Sequence, residues 1–517
     1  MVERPSDRHC ALIKRAVKEE LLKPRYRSIG VGAVIEEVLT TQGLEAHICN
    51  NVYQQYLLEK ENAQERARDA WVESTRGRSA IRGGEGATGT CSFTRRAREL
   101  DIVIEMRKRW GSKLMHNLQK MMEETGQPLI RMRMDGDAER WRGKRMHKSK
   151  FVYESSDLME ALTQSRAQGS EHQRVASWGI SPIRMRTPVL IQLRERFADL
   201  DVEERQTGVD DELRGWFDEV RLEEGQRILA QAYTPLLEQY AKRGVPAGLR
   251  ARVWLGILRL SLGEREFKYF SGLQGEVTRV ALLTDDLQKR DAASPELEEQ
   301  YFVFVAMVEE ILLCFSRDPQ VYQEAPRPEH ATLAAQCGDG AQVPFPPCGV
   351  PPFRGQSQYA FPLCFVYAQP QQIYFVFRAL WLRYWHKLHS FNSEPGSLLT
   401  LCLLFEELMQ DHLPEVCTHL MHVDVHPTSI ALPWITSGFS AALPADQTLL
   451  LWDRILGFGS LELLPLTAVA IFAYRARLIL KTNDGDRVER IMSNLTSVKV
   501  IPLLQLFLWD KEALLSR

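Results

Sequence analysis

Through most of the second half of this chain, apolar residues recur at three- and four-residue steps, the repeat of a helix with one buried face. In Leu432–Leu456, LPWITSGFSAALPADQTLLLWDRIL, Trp434 and Ile435 begin a short helix, Phe439 follows and Leu443 closes the turn. Pro444 has no N–H and breaks that helix. Asp446 is the expected N-cap of the next one, in which Leu449, Trp452, Asp453 and Leu456 share a face. Asp453 is the exception in an apolar stripe. A carboxylate buried alone is costly, so it is expected to be ion-paired or to cap a helix, with Arg250 as its candidate partner.

The same spacing gives Ile102–Glu124 a stripe of Val103, Met106, Trp110, Leu114, Leu118 and Met121. Tyr301–Phe315 groups Phe304, Val308, Ile311, Leu312 and Phe315, and Gln371–Leu388 groups Ile373, Phe377, Leu380, Trp381, Tyr384 and Leu388. Further helices are expected over Ala11–Leu22, Val52–Ala70, Ser155–Gln164, Asp218–Leu237, Leu398–Met409, Ile430–Phe439, Thr448–Leu456, Leu461–Leu480 and Val498–Trp509. Arg166–Thr187 reads as irregular, and Pro188–Phe197 as extended or helical. No segment alternates as a strand would, so the fold class is all-α. Arg76–Thr94 reads as a linker. Pro319–Pro352 is long, aperiodic and rich in proline and glycine. It is expected to be a surface insertion without regular structure, tolerant of deletion over Pro319–Pro347.

Composition narrows the classes. A chain of 517 residues has room for two to four domains on length alone. Its net charge of −2 gives no global attraction to nucleic acid. Nine cysteines, none in a C-x-x-C pair and several in apolar contexts, imply a reducing compartment. Residues 1–20 lack the apolar core of a secretory signal. Gly355–Phe377 and Pro427–Ala445 contain no Asp, Glu, Lys or Arg, but prolines and polar residues interrupt both. The most apolar run, Leu463–Tyr474, is shorter than the roughly 20 residues a membrane span needs. Val2 excludes N-myristoylation, and the C-terminal LLSR is no prenylation box. A cytoplasmic protein, at most peripheral to a membrane, is expected. The run Arg140, Arg142, Lys144, Arg145, Lys148 and Lys150 reads first as a solvated loop, and second as a contact for anionic lipid or an acidic partner.

Enzymatic motifs are sparse. Gly84, Gly86 and Gly89 have the spacing of a dinucleotide-binding turn, but the preceding RGRSAIR is no strand, so no cofactor is expected. His412, Cys417, His419, His422, Asp424 and His426 gather ligand types at a spacing that fits no standard zinc site. A polar helix end explains them, and no metal is expected. There is no phosphate-binding loop, no Ser or Cys nucleophile motif and no kinase set, and Glu406-Glu407 lacks a partnering carboxylate.

Two separated blocks carry a resemblance. The first is Gly244-Val245-Pro246, Leu249-Arg250, Val253-Trp254 and Leu258. The second is Trp434, Phe439, Leu443-Pro444 and Leu449-x-x-Trp452-Asp453-x-x-Leu456. In this order and spacing they resemble the early and late signatures of TBC domains, the GTPase-activating modules that act on Rab proteins. The intervening Tyr301–Asp318 and its flanking blocks resemble one branch of that family most closely, and that closer resemblance runs from about Ile102 to Leu508, with an insertion in the middle. It implies a domain over 226–485 of two helical halves around a V-shaped groove, with an irregular insertion at 319–352. A helical region, 1–225, precedes it, and a helical tail, 486–517, packs on it. It further implies a Rab-family GTPase as partner and a role in membrane traffic. No cofactor is implied, since magnesium and GTP belong to the GTPase.

Such domains insert an arginine from Ile-x-x-Asp-x-x-Arg and a glutamine from Tyr-x-Gln-Gly. This chain departs from both patterns. Leu282-x-x-Asp285 or Leu283-x-x-Asp286 stands for the first, with Gln288 or Lys289 where the arginine belongs. Arg290 comes one or two positions late, and a helix turns about 100° per residue. Its side chain is therefore expected to point elsewhere unless the backbone differs. Pro352-Phe353-Arg354-Gly355 stands for the second, with Arg354 at the glutamine position and Gln356 after the glycine. Arg290, Arg354 and Gln356 are the candidate site residues. A guanidinium donates but cannot accept a hydrogen bond, so it can stabilise phosphate charge but cannot orient water. Arg354 is expected to line the groove, with Arg290 nearby. Three functions stand: a Rab GTPase activator, an adaptor that binds a GTPase without activating it, and a helical scaffold with no GTPase partner.

Overall fold

Helix Leu463–Leu480 is apolar on nearly every side, and it sits where such a helix must, inside. It packs against helices Leu398–His412, Pro427–Thr436, Gly485–Ser493 and Val500–Trp509. The computed structural model describes residues 91–133, 150–167, 187–209, 214–294, 301–325, 333–336 and 342–516. The helices expected over Ala11–Leu22 and Val52–Ala70, the Gly84–Gly89 turn, the basic run from Arg140 to Lys148 and residues 168–186 lie outside these. By compactness one unit comprises Thr90–Leu222 with Glu238–Arg517, and a second comprises Met1–Gly89 with Glu223–Leu237.

Among the described residues the regular elements are helices apart from two short ribbons. Helix Leu463–Leu480 is longer than the run read from the sequence, and by length and composition it could cross a membrane. Of its residues 72% are buried within the protein, which fits a core helix. A second cluster surrounds helix Val305–Arg317, which packs on Glu264–Arg279, Asp285–Ala292 and Pro370–Arg383. Helix Cys91–Thr125 buries Val103, Met106, Trp110, Leu114, Leu118 and Met121. It begins inside the stretch read as a linker.

Helix Ala247–Leu258 contacts both Pro370–Arg383 and Ala445–Phe458. One carboxylate ties it to the latter. Asp453 Oδ1 accepts from Arg250 Nε at 3.0 Å and Trp254 Nε1 at 2.8 Å. Its Oδ2 accepts from Arg250 Nη2 at 2.9 Å and from the Val245 N–H at 3.2 Å. The guanidinium of the next residue, Arg454, donates to the carbonyls of Thr207, Arg243 and Leu450 and to Gln206. Gly244 has φ +88°, and a Cβ there would lie 2.5 Å from Arg454 Nη1, so only glycine fits. Pro246 directly precedes the first turn of helix Ala247–Leu258. Trp254 and Trp452 are buried, and Trp452 Nε1 donates to the Gly438 carbonyl.

Four local readings are corrected. Trp434 and Ile435 end a helix, Pro427–Thr436, rather than begin one. Proline at the first helical position starts a helix well, and Phe439, with φ +67°, closes this one by donating its N–H to the Trp434 carbonyl. Pro444, not Asp446, occupies the N-cap of helix Ala445–Phe458, and Asp446 lies in the first turn, at the positive end of the helix dipole. Strands do exist: Ile130–Met132 pairs antiparallel with Val280–Leu282. Three residues are too few to show an alternation.

The insertion is the fourth correction, because it is ordered where described. Asp318 caps helix Pro319–Glu324, its side chain accepting from Gln320 N, and Leu333–Gln336 pairs with Gln342–Phe345. The same carboxylate accepts from the hydroxyls of Tyr269 and Tyr374. Val321, Phe345 and Cys348 are buried.

Two outcomes follow for stability. Asp453→Ala strands the Arg250 guanidinium and is expected to cost about 3–5 kcal/mol in urea unfolding. A loss below about 1 kcal/mol would show that the pair does not hold the two helices together. Phe345→Ala is likewise expected to cost about 3–5 kcal/mol, and excision of Pro319–Pro347 to abolish soluble expression. Full-yield recovery of the excised protein would show the insertion to be dispensable.

Candidate functional site

The turn Pro352–Gly355 is held by three distant parts of the chain. Phe353 is buried, stacked on Tyr153 with ring centroids 5.0 Å apart, and its centroid is 4.1 Å from that of His389. The Arg354 N–H donates to the Tyr153 carbonyl at 3.1 Å. Gly355 has φ +97°, a left-handed conformation that glycine adopts without strain. Its N–H donates to Asp291 Oδ1 at 2.6 Å, and the Ser357 N–H donates to Asp291 Oδ2 at 2.7 Å. The Ser357 hydroxyl adds a bond to the Asp291 main-chain carbonyl at 3.1 Å.

This scaffold leaves the Arg354 side chain 44% exposed, with Nη1 at 3.3 Å from Glu154 Oε2. Arg290 lies with its guanidinium carbon 4.3 Å from the ring centroid of Phe151, a cation–π arrangement. Burial lowers its pKa, while Glu154 and Asp291 raise it and Arg354 lowers it again. Arg290 and Arg354 therefore face the same segment, Phe151–Glu154, and feel each other's charge. The late position of Arg290 does not turn it away from Arg354.

Of the other residues read from the finger patterns, Leu283 and Asp286 are partly exposed, and the rest lie inside. Asp285 is buried between Arg133 at 2.9 Å and Arg317 at 2.5 Å, and it accepts the Leu282 N–H. It joins the ribbon to helix Val305–Arg317. Gln288 and Lys289 are buried, and Lys289 Nζ is 3.8 Å from Glu309. Gln356 is buried at 1% exposure, and neither its Oε1 nor its Nε2 has a hydrogen-bond partner among the described residues. Its amide does not reach the surface beside Arg354.

Phe151, Tyr153, Glu154 and Asp291 were not singled out by the sequence. Glu154 stands 200 residues before Arg354, and no linear pattern joins them. Asp291 closes the charged run DDLQKRD and looks there like any solvated carboxylate. Among the histidines, His419 Nε2 lies 2.7 Å from the Thr482 carbonyl, and His426 Nδ1 accepts from the Thr428 N–H. Among the described residues no three His, Cys, Asp or Glu side chains are grouped to hold a metal ion.

Residues 353–480, which begin at this turn, match the family model of the Rab-GTPase-TBC domain. Over 432 residues the chain is 33% identical to the human TBC1 domain family member 19, covering 79% of this chain and 82% of that protein. A likeness at that identity and coverage places the chain in the TBC-domain family. It is also 33% identical over 105 residues to a Dictyostelium discoideum TBC domain-containing protein kinase-like protein, across 20% of this chain and 10% of that one. Among solved structures, the Chlamydomonas flagellar RabGAP TBC domain aligns over 62% of this chain and 96% of its own, at 16% identity and a TM-score of 0.42.

Burial pushes the Asp291 carboxyl from its ordinary 3.8 up to about 6, against the downward pull of its hydrogen bonds to Gly355 and Ser357. Between pH 4 and 6 the folded protein then holds a proton that the unfolded chain has lost, so this group's contribution to stability falls as pH rises. About 3 kcal/mol is at stake over that interval. Asp291→Asn is expected to remove that decline, so its stability relative to wild type should rise between pH 4 and pH 7 in chemical unfolding. A difference that stays constant with pH would place the Asp291 carboxyl near its ordinary value.

Proposed function

We propose that this chain stimulates GTP hydrolysis by a Rab-family GTPase, with Arg354 facing the transferring phosphate and Arg290 beside it. Family membership supports the class of activity. The observation that carries the assignment is a half-exposed guanidinium on the residue before Gly355, where the family places its glutamine. Charge spreads over the phosphoryl oxygens during transfer, and an arginine supplied in trans can stabilise it by about 10³–10⁵ in rate. The groove between two helical halves receives the GTPase, which brings its own magnesium and GTP. Arg354 cannot accept a hydrogen bond from the attacking water. That task falls to the GTPase's own glutamine, and the stimulation is correspondingly weak. The setting is cytoplasmic, peripheral to endomembranes, and the output is control of membrane traffic.

The burial of Gln356 favours a second reading: an adaptor that holds a GTPase in its GTP state without activating it. Single-turnover hydrolysis across a panel of GTP-loaded Rab proteins, with binding measured in parallel, separates the two. The activator reading expects acceleration by at least one Rab that Arg354→Ala lowers about tenfold or more and that Arg354→Gln restores or exceeds. Binding without acceleration by wild type would establish the adaptor. Strong acceleration that survives loss of both Arg290 and Arg354 would put the site elsewhere.

A further inference from the structure

We infer that Asp291 is the positioning residue of this site: its carboxylate clamps the Arg354 turn to the helix that carries Arg290, so that both guanidinium groups stand in one fixed relation. The inference rests on the reading of Arg354 and Arg290 as phosphate-facing groups. Both oxygens of Asp291 are used, and on different donors, at Gly355 and Ser357. With the Ser357 hydroxyl on its carbonyl, one residue of helix Asp285–Ala292 makes three bonds to the segment just after Arg354. The N–H of Arg354 itself is bound by Tyr153. The backbone is thus held on both sides of a side chain that remains half exposed.

Stability does not explain the choice of a carboxylate here. Asp291 is 3% exposed and has no cation within salt-bridge distance among the described residues. Burying its charge works against the folded state, as its raised protonation range shows. A charged acceptor does give shorter and stiffer bonds to backbone donors than a neutral one. Stiffness matters where a misplacement of about 1 Å can cost about a hundredfold in rate. Arg290 directly precedes Asp291, so the residue that holds the Arg354 turn is covalently joined to the second guanidinium.

The test uses the full chain. Hydrogen exchange read by mass spectrometry reports protection over residues 353–358, and hydrolysis and binding are measured with the GTP-loaded Rab panel. Asp291→Asn keeps one carbonyl acceptor but turns an NH2 toward the other backbone donor. The variant is expected to lose protection over 353–358 while helix Leu463–Leu480 exchanges as in wild type. Its acceleration should fall about tenfold or more, with Rab binding within about threefold of wild type. Retained protection overturns the inference, as does acceleration that is unchanged when protection is lost. If Asp291→Asn does not fold, Ser357→Pro deletes both Ser357 donors, the N–H and the hydroxyl, and leaves the carboxylate bound to Gly355 alone, and the same readings decide. Rapid exchange over 353–358 in wild type overturns the inference without any variant. A wild type that accelerates no Rab removes the activator reading, while the exchange data still decide whether Asp291 holds the turn.

Discussion

The Asp453 carboxylate is the interaction on which the rest of the structure depends. Ionic pairs inside proteins often contribute little net stability, because both charges must leave water. Here the cost is spread over four donor contacts, two from Arg250 and one each from Trp254 and the Val245 backbone. Every donor lies within ten residues of the chain, so one carboxylate sets the start, direction and rotation of helix Ala247–Leu258. Arg454 then ties Thr207 to Arg243, and Gly244 is the residue small enough to pass it. Successive residues of one helix thus hold the stretch from Arg243 to Trp254, and Arg454 adds residues 206–207 to it.

A line of rings leads from this pair to the candidate site. Trp254 lies 6.4 Å from Trp452, Trp452 lies 4.9 Å from Trp385, and Trp385 stacks on Tyr359 at 5.3 Å. Tyr359 hydrogen-bonds His389, and His389 packs on Phe353, the residue before Arg354. Large flat side chains in contact transmit position well because interiors are close-packed. The burial of the two signature tryptophans and the placement of the Arg354 turn are therefore one packing problem.

At the turn itself the charges are graded by depth. Glu154 and Arg354 meet near solvent, where such a pair is worth at most about 1 kcal/mol. Asp291 is buried and binds backbone. Phe151 and Glu154 come from the segment between the first two described helices, so the site is not confined to the region matched by the family model.

Much of this molecule is legible in the chain alone. Helical period marked the apolar stripes, from Val103–Met121 to Leu449–Leu456, because each buries a continuous face and the repeat is local. A lone carboxylate on such a face announced that Asp453 needed a partner, and Arg250 stood on the one helix whose signature accompanied it. Short ribbons and the ordered insertion were not legible, since three or four residues carry no period and proline reads as a breaker even where it starts a helix. Nor were the roles of Glu154, Asp291 and Gln356. Whether a polar side chain pairs, clamps or is buried unpartnered depends on what folding brings to it from across some 60 to 200 residues, and only the tertiary structure decides that.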